Sequence, residues 1–238
     1  MITKSNLVNH LVYYNDNQNG EFQYIIDSNK KQVEFLMKFV DPVKIDVIFN
    51  IGALNGVEAL LFNNYLPKSH IFLFEAALVP FKLTVDNVSG IPNITPVLCG
   101  LGNSDGSETL NLFRNPGLNS FLENIDSESS FDLKILSEPV PIAKAETYCL
   151  TNKIKKVDLI WIDVQGFEIE VFKGFGNMLK DVSVIQTECS WKPKYHNQPS
   201  YKDVCDYLHQ FGFVEKSKQI NYVDSCDDCD VIFVNERI

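Results

Sequence analysis

The chain has 238 residues, with 31 acidic and 21 basic side chains and a formal net charge of −10. Its 45% hydrophobic and 22% charged content is that of a globular protein long enough for one good core, which excludes extended disorder. The acidity repels phosphate backbones, so nucleic acid is not an expected partner, and no apolar run approaches the ~18 residues of a membrane span.

Residues 1–45 are expected to form a helical or irregular cap, with a short amphipathic helix at Val33 to Val40 stopped by Pro42. From residue 46 to 238 the apolar period switches repeatedly between strand and helix. Ile45 to Ile51 reads as a strand, Gly52 to Gly56 as a turn, and Val57 to Leu66 as a helix. His70 to Phe74 is a second strand, Val79 to Val88 a second helix, and Ile94 to Leu98 a third strand. Ser107 to Phe113 alternates like an edge or hairpin strand. Asn115 to Ser137, rich in Ser, Asn and Asp, reads as a surface excursion suited to a lid, followed by extended Pro139 to Ile142 and a short helix over Ala143 to Thr151. Val157 to Val164 is a strongly apolar strand. Phe167, Val171, Phe175 and Met178 mark a helix from Gly166 to Lys180. A strand at Val182 to Thr187 and a helix at Tyr201 to Phe211 precede a closing antiparallel pair at Phe213 to Val214 and Val231 to Val234. Strands alternating with helices imply right-handed crossovers and one α/β, doubly wound, mostly parallel sheet.

The six cysteines sit mostly in apolar runs, as small buried hydrophobes do. No disulfide framework is needed at this length, and the polar Met1 to Asn9 has no leader pattern, so a cytoplasmic setting is expected. Cys226 and Cys229 form the sole C-x-x-C, with only His209 near; a hairpin loop is the favoured reading and no metal is expected.

In open α/β sheets, ligands bind beyond the carboxyl ends of the strands. After the first strand comes Asn50-Ile51-Gly52-Ala53-Leu54-Asn55-Gly56, and after the second Glu75, nineteen residues beyond Gly56 and placed to accept from a ribose diol. Cys99 to Asn103, Asp163 to Gly166 and Glu188 follow the later strands. Each piece alone also has a structural explanation as a turn or helix cap, and Asp163 could be such a cap. Leu54 breaks the Gly-x-Gly-x-x-Gly dinucleotide fingerprint, and no phosphate-cradling Gly-x-x-x-x-Gly-Lys-Ser/Thr is present. This counts against a nucleotide-dependent oxidoreductase and suits S-adenosylmethionine, which has no phosphate.

VIFNIGALNGVEALLF, IFLFEAALVPFKLTVDNV, GLGNSDGSETLNLF, NSFLE and VDLIWIDVQGFEIEVFKGFGNML together resemble the FkbM family of S-adenosylmethionine-dependent methyltransferases, from about Asp46 to Glu188. The most specific piece is Ile162 to Glu168, close to the family's I-D-V-E/Q-G-x-E. The sequence departs from the family's D-x-G-A-N-x-G at Asn50 and Leu54, and has Glu75-Ala76 where Glu-Pro is common. The resemblance implies a Rossmann-like class I methyltransferase fold over residues 46–238. It implies that Asn50, Gly52, Ala53 and Gly56 lie along the methionine and sugar of the cofactor. Glu75 would hold the ribose, Ala76, Gly102 and Asn103 would approach the adenine, and Ser120 would stand over the pocket.

Asp163 and Gln165 would then face the methyl group and acceptor, with Asp163 the best-placed base. Glu168 and Glu170 suit the first turn of a helix without further role. Trp191, Tyr195 and His196 mix aromatic and titratable groups in a loop at the same edge, with His196 a candidate acid or base. The expected reaction is O-methylation of a sugar or small-metabolite hydroxyl, by a chain that can self-associate. The competing reading is a degenerate methyltransferase fold serving in binding or assembly, motivated by Asn50 and Leu54.

Overall fold

A computed structural model describes residues 19–125, 133–220 and 228–238. Cys226 and part of the Asn115 to Ser137 excursion lie outside these residues. Strands β1 (Val47–Ile51), β2 (His70–Glu75) and β3 (Ile94–Leu98) form one half of a seven-stranded sheet, and β7 (Leu159–Ile162), β8 (Val184–Ser190), β9 (Phe213–Ile220) and β10 (Asp228–Asn235) form the other. The order is β3-β2-β1-β7-β8-β10-β9, parallel except where β10 runs against both β8 and β9. The order reverses between β1 and β7, so a crevice opens where their carboxyl ends part. A second sheet, β4 (Gly100–Leu101), β6 (Lys134–Ala143) and β5 (Gly106–Phe113), stands beyond the end of β3. The sequence had suggested only the β5 hairpin strand and a short extended stretch at β6.

Two apolar layers sandwich the main sheet. On one face, alternate residues Ile48, Leu73, Leu159, Trp161, Val184 and Ile232 pack beneath α1 (Asn19–Leu36) and α2 (Val57–Tyr65). On the other, Phe49, Ile51, Phe74, Ile160, Ile162 and Ile185 meet α4 (Ala145–Thr151), α5 (Glu168–Phe175) and α6 (Tyr201–His209). Helix α3 (Leu78–Asn87) connects β2 to β3. Burial on both faces explains why these strands read as unbroken apolar runs.

Two helices differ from expectation. The first spans Asn19–Leu36, far longer than the short helix expected at Val33 to Val40, and adds a 3-10 turn to Phe39. The helix predicted over Gly166 to Lys180 is α-helical only to Phe175; Gly176, at φ 54°, turns it into a 3-10 segment. Cys229 lies buried within β10 and not in a hairpin loop. Among the described residues, no helix is long and apolar enough to cross a membrane, and no His, Cys, Asp or Glu cluster could hold a metal.

Candidate active site

The β1 and β7 chains touch where the sheet order reverses. The Asp163 amide donates to Ile51 O at 3.0 Å. A Cβ placed on Gly52, whose φ is 80°, would lie 1.8 Å from Asp163 O. Only glycine fits there, so the glycine turn is required by close backbone approach as well as by its dihedral. The next turn residue is less suited to its place. Leu54 adopts φ 47°, a left-handed conformation in which its Cβ is strained, and where the family's Asn is at ease.

Glu75 ends β2 and is 7% exposed. Its carboxylate accepts from the Leu54 amide and the Ala77 amide, both at 2.9 Å. Burial pushes its pKa up to about 7, against the opposing pull of these amides. A cavity runs from here past Ile51, Gly52 and Leu54 to Asp163 and Gln165, with Ala76, Leu110 and Phe121 as an apolar wall. Ser120 closes it, its hydroxyl donating to Gln165 O at 2.7 Å. The flat apolar wall suits an adenine ring and the Glu75 carboxylate a ribose diol, so these residues fit S-adenosylmethionine.

Several predicted residues lie elsewhere. At the adenine end the cavity is lined by Cys99, Gly100 and Leu101, not by Gly102 and Asn103. Gly102 packs under Ile142 and Phe167, and Asn103 is exposed. The register puts the lining two residues earlier because β4 turns the chain away immediately after Leu101. Ala53 is buried in the core beside α2, and Gly56 caps that helix at φ 75°, so both shape the turn without lining the cavity. His196 is not brought to the site: it is exposed, and its amide bonds Glu123 O at 2.8 Å. Its neighbour Tyr195 faces inward, 2% exposed, with its hydroxyl 2.9 Å from Leu118 O and 3.2 Å from Gln165 Oε1. Alternation along the extended loop buries one of the two residues, and the sequence did not show which. Trp191 is also exposed, packed on Tyr201.

Asp163 stands open to solvent in the middle of the sheet edge, yet the protein wrapped round this concave spot desolvates it and raises its pKa. Gln165 Nε2 donates to Asp163 Oδ1 at 2.7 Å and reaches Glu188 Oε2 at 3.3 Å. Gln165 itself is left-handed, at φ 52°, and is pinned there through Ser120 and Tyr195. Glu188 is raised well above the ordinary carboxylate range, by burial first and then by the charges of Asp163, Asp228 and Asp230. Lys194, ion-paired with Asp228, opposes this. Behind the loop, Glu168 accepts from the Val164 and Gly166 amides at 3.3 and 3.2 Å, and burial lifts it to about 7. It therefore does more than complement a helix dipole: it shapes the Asp163 to Gly166 turn. Glu170 pairs with Lys173 at 2.6 Å on the surface side of α5.

The sheet order, the glycine turn after β1, the acid ending β2 and the antiparallel last strand define a class I, S-adenosylmethionine-dependent methyltransferase fold. Among solved structures, magnesium protoporphyrin IX methyltransferase from Synechocystis PCC 6803 with bound SAM is similar over 94% of this chain and 88% of its own, with TM-score 0.55 and 10% identity. TrmK of M. capricolum with S-adenosyl-homocysteine is similar over 86% of this chain and 68% of its own, with TM-score 0.50 and 12% identity. The family model of the methyltransferase FkbM domain matches residues 50–215. The chain belongs to this methyltransferase family. The 2-O-methyltransferase NoeI of Sinorhizobium fredii is 23% identical over 77% of this chain and 78% of its own length. The hexuronic acid methyltransferase AglP of Haloferax volcanii is 25% identical over 60% of this chain and 55% of its own.

Proposed function

We propose that this protein transfers the methyl group of S-adenosyl-L-methionine to a hydroxyl of a sugar or sugar-like metabolite, with Asp163 as the general base. The single observation that carries this reading is Asp163 itself. It is a solvent-accessible carboxylate at the centre of the sheet edge, bordering the cavity that Glu75 and Gly52 also line. Relatives described as a 2-O-methyltransferase and a hexuronic acid methyltransferase support a saccharide acceptor.

The cofactor, when bound, supplies an electrophilic methyl on a sulfonium. The protein's part is alignment and proton removal. Glu75 accepts from the ribose diol and fixes the sugar, while Gly52 lets the methionyl part pass close to the backbone. Asp163 would take the proton of the acceptor hydroxyl as the methyl–sulfur bond breaks, leaving its electron pair on the thioether sulfur, and the oxygen–methyl bond forms. A raised pKa makes it a stronger base than an ordinary carboxylate, and Gln165, donating to its Oδ1, fixes the orientation of the carboxylate. Of the N-terminal segment, α1 would act as a cap on the catalytic domain.

The test is Asp163→Asn, which keeps shape and removes basicity. Turnover should fall by about 10²–10⁴-fold with the S-adenosylmethionine dissociation constant little changed. A variant turning over within a few-fold of wild type across a pH series would place the base elsewhere.

A further inference from the structure

One wall of the cofactor cavity is a short strap, Pro116 to Ile125. Pro116, Gly117, Asn119, Ser120 and Phe121 line the cavity. Apart from one 3-10 turn at Pro116–Leu118, the strap has no helix, and it lies along β5. The Asn111 amide donates to Ser120 O at 2.9 Å, and the Ser120 amide returns a bond to Asn111 O at 3.2 Å. Asn111 Nδ2 donates to Leu122 O, and the Phe113 amide to Asn119 Oδ1, both at 3.0 Å. Phe121 is seated at the adenine end: a Cβ on Gly100 would lie 2.6 Å from its ring, and Phe167 stands 5.1 Å away, centroid to centroid.

The same strap is bonded to the loop that follows β8. The Ile125 amide donates to Lys194 O at 2.9 Å, and the His196 amide to Glu123 O at 2.8 Å, so Asn124 and Tyr195 pair as an antiparallel bridge. The buried Tyr195 hydroxyl lies 2.9 Å from Leu118 O, in the strap, and 3.2 Å from Gln165 Oε1, in the turn that follows β7. A phenol carries one hydrogen and both neighbours are acceptors, so the hydroxyl bridges strap and turn and belongs to neither alone. Ser120 repeats the connection, donating to Gln165 O at 2.7 Å while accepting from the Leu122 amide at 3.0 Å. Gln165 in turn reaches Asp163 and Glu188. Only two residues, about 7 Å of extended chain, separate Phe121 at the cavity from Glu123 at the loop. A segment so short has little slack with which to absorb a shift at one end.

Resting on the methyltransferase reading above, we propose that Tyr195 is a positioning residue that clasps the strap to Gln165 and to the loop after β8, and that cofactor binding sets the loop and Gln165 in place through this clasp. A cofactor lying against Phe121 and Ser120 adds packing contacts to the strap. What steadies the strap steadies the groups bonded to it: the main chain at Lys194 and His196, the Tyr195 ring, and Gln165 beside the base. The cofactor therefore organises the face that the acceptor meets, although the loop contributes nothing to the lining of the cofactor cavity. Linkage makes the effect reciprocal, so each ligand tightens binding of the other by the same factor. The arrangement uses the buried residue of the Tyr195–His196 pair for its side chain and the exposed one only for its amide.

The experiment is amide hydrogen exchange on the full chain, with and without saturating S-adenosylhomocysteine, alongside calorimetry of that ligand. Exchange should slow by at least about threefold in residues 116–125 and also in residues 192–198. In Tyr195→Phe the slowing at 192–198 should fall by about half or more, while that in the glycine turn at 52–56 is kept. The dissociation constant of S-adenosylhomocysteine should rise about 3–10-fold, the worth of one neutral hydrogen bond. A merely structural role for the hydroxyl would lower the melting temperature and leave the pattern of slowing as it was. Ile125→Pro, which deletes the amide bonded to Lys194 O at an exposed position, is the second variant and should uncouple 192–198 in the same way. Exchange at 192–198 that S-adenosylhomocysteine leaves unchanged in the wild type overturns the inference whatever the variants do. So does wild-type slowing at 192–198 in whichever of the two variants folds. Failure of S-adenosylhomocysteine to bind the wild type at all removes the methyltransferase reading beneath it.

Discussion

Glu168→Gln should stabilise the protein in a strongly pH-dependent way. Glu168 is 4% exposed, and its Oε1 holds the Val164 and Gly166 amides. A glutamine carbonyl can accept the same two bonds, so the substitution removes charge without removing the cap. Burial raises the glutamate from 4.5 to about 7. A carboxyl whose folded pKa is raised binds its proton more tightly folded than unfolded. Its contribution is therefore fully present below pH 4.5 and is lost as pH rises through about 7. A shift of this size corresponds to a ceiling of about 3 kcal/mol, which relaxation and water entry reduce to about 1–2 kcal/mol. The glutamine carries no such dependence. Urea unfolding at pH 5 and pH 8 should thus show the variant near wild type at the lower pH and about 1–2 kcal/mol more stable at the higher. A stability difference equal at both pH values, or a variant weaker at pH 8, would refute the reasoning.

Leu54→Asn should raise stability by about 0.5–1 kcal/mol in thermal or urea unfolding, because asparagine tolerates the left-handed conformation that strains leucine; an unchanged or lower midpoint would contradict it. Glu75→Gln should weaken S-adenosylmethionine binding by about 1.5–3 kcal/mol by calorimetry. Wild-type affinity should also fall as pH drops through about 7, where the carboxylate takes up a proton, while the glutamine variant stays flat. Tyr195→Phe should lower kcat by about 5–10-fold by loosening Gln165, whereas His196→Ala should leave it within twofold; the reverse ranking would restore His196 to the site.

The main sheet was legible because its strands are buried on both faces and its turns carry glycine or acid at the ligand edge. Unbroken apolar runs around Val47, Phe72, Ile160 and Val184 leave little choice of assignment. Asp163 and Glu75 were legible for the same reason, as the first polar residues after apolar strands. The choice between Tyr195 and His196 depended on one residue of alternation in a loop with no regular period.

The departure at Asn50 is explained by what surrounds it. The side chain is fully buried, one row beneath Asp163 and beside Glu58. An aspartate there would add a carboxylate to a neighbourhood in which Glu58, Asp163 and Glu188 are already pushed toward their protonated forms. Buried like charges repel, so an additional acid would raise Asp163 further. Asparagine keeps a donor and an acceptor at the position while removing the charge. On the proposed mechanism, the substitution spares Asp163, as the base, the further rise that a neighbouring carboxylate would bring.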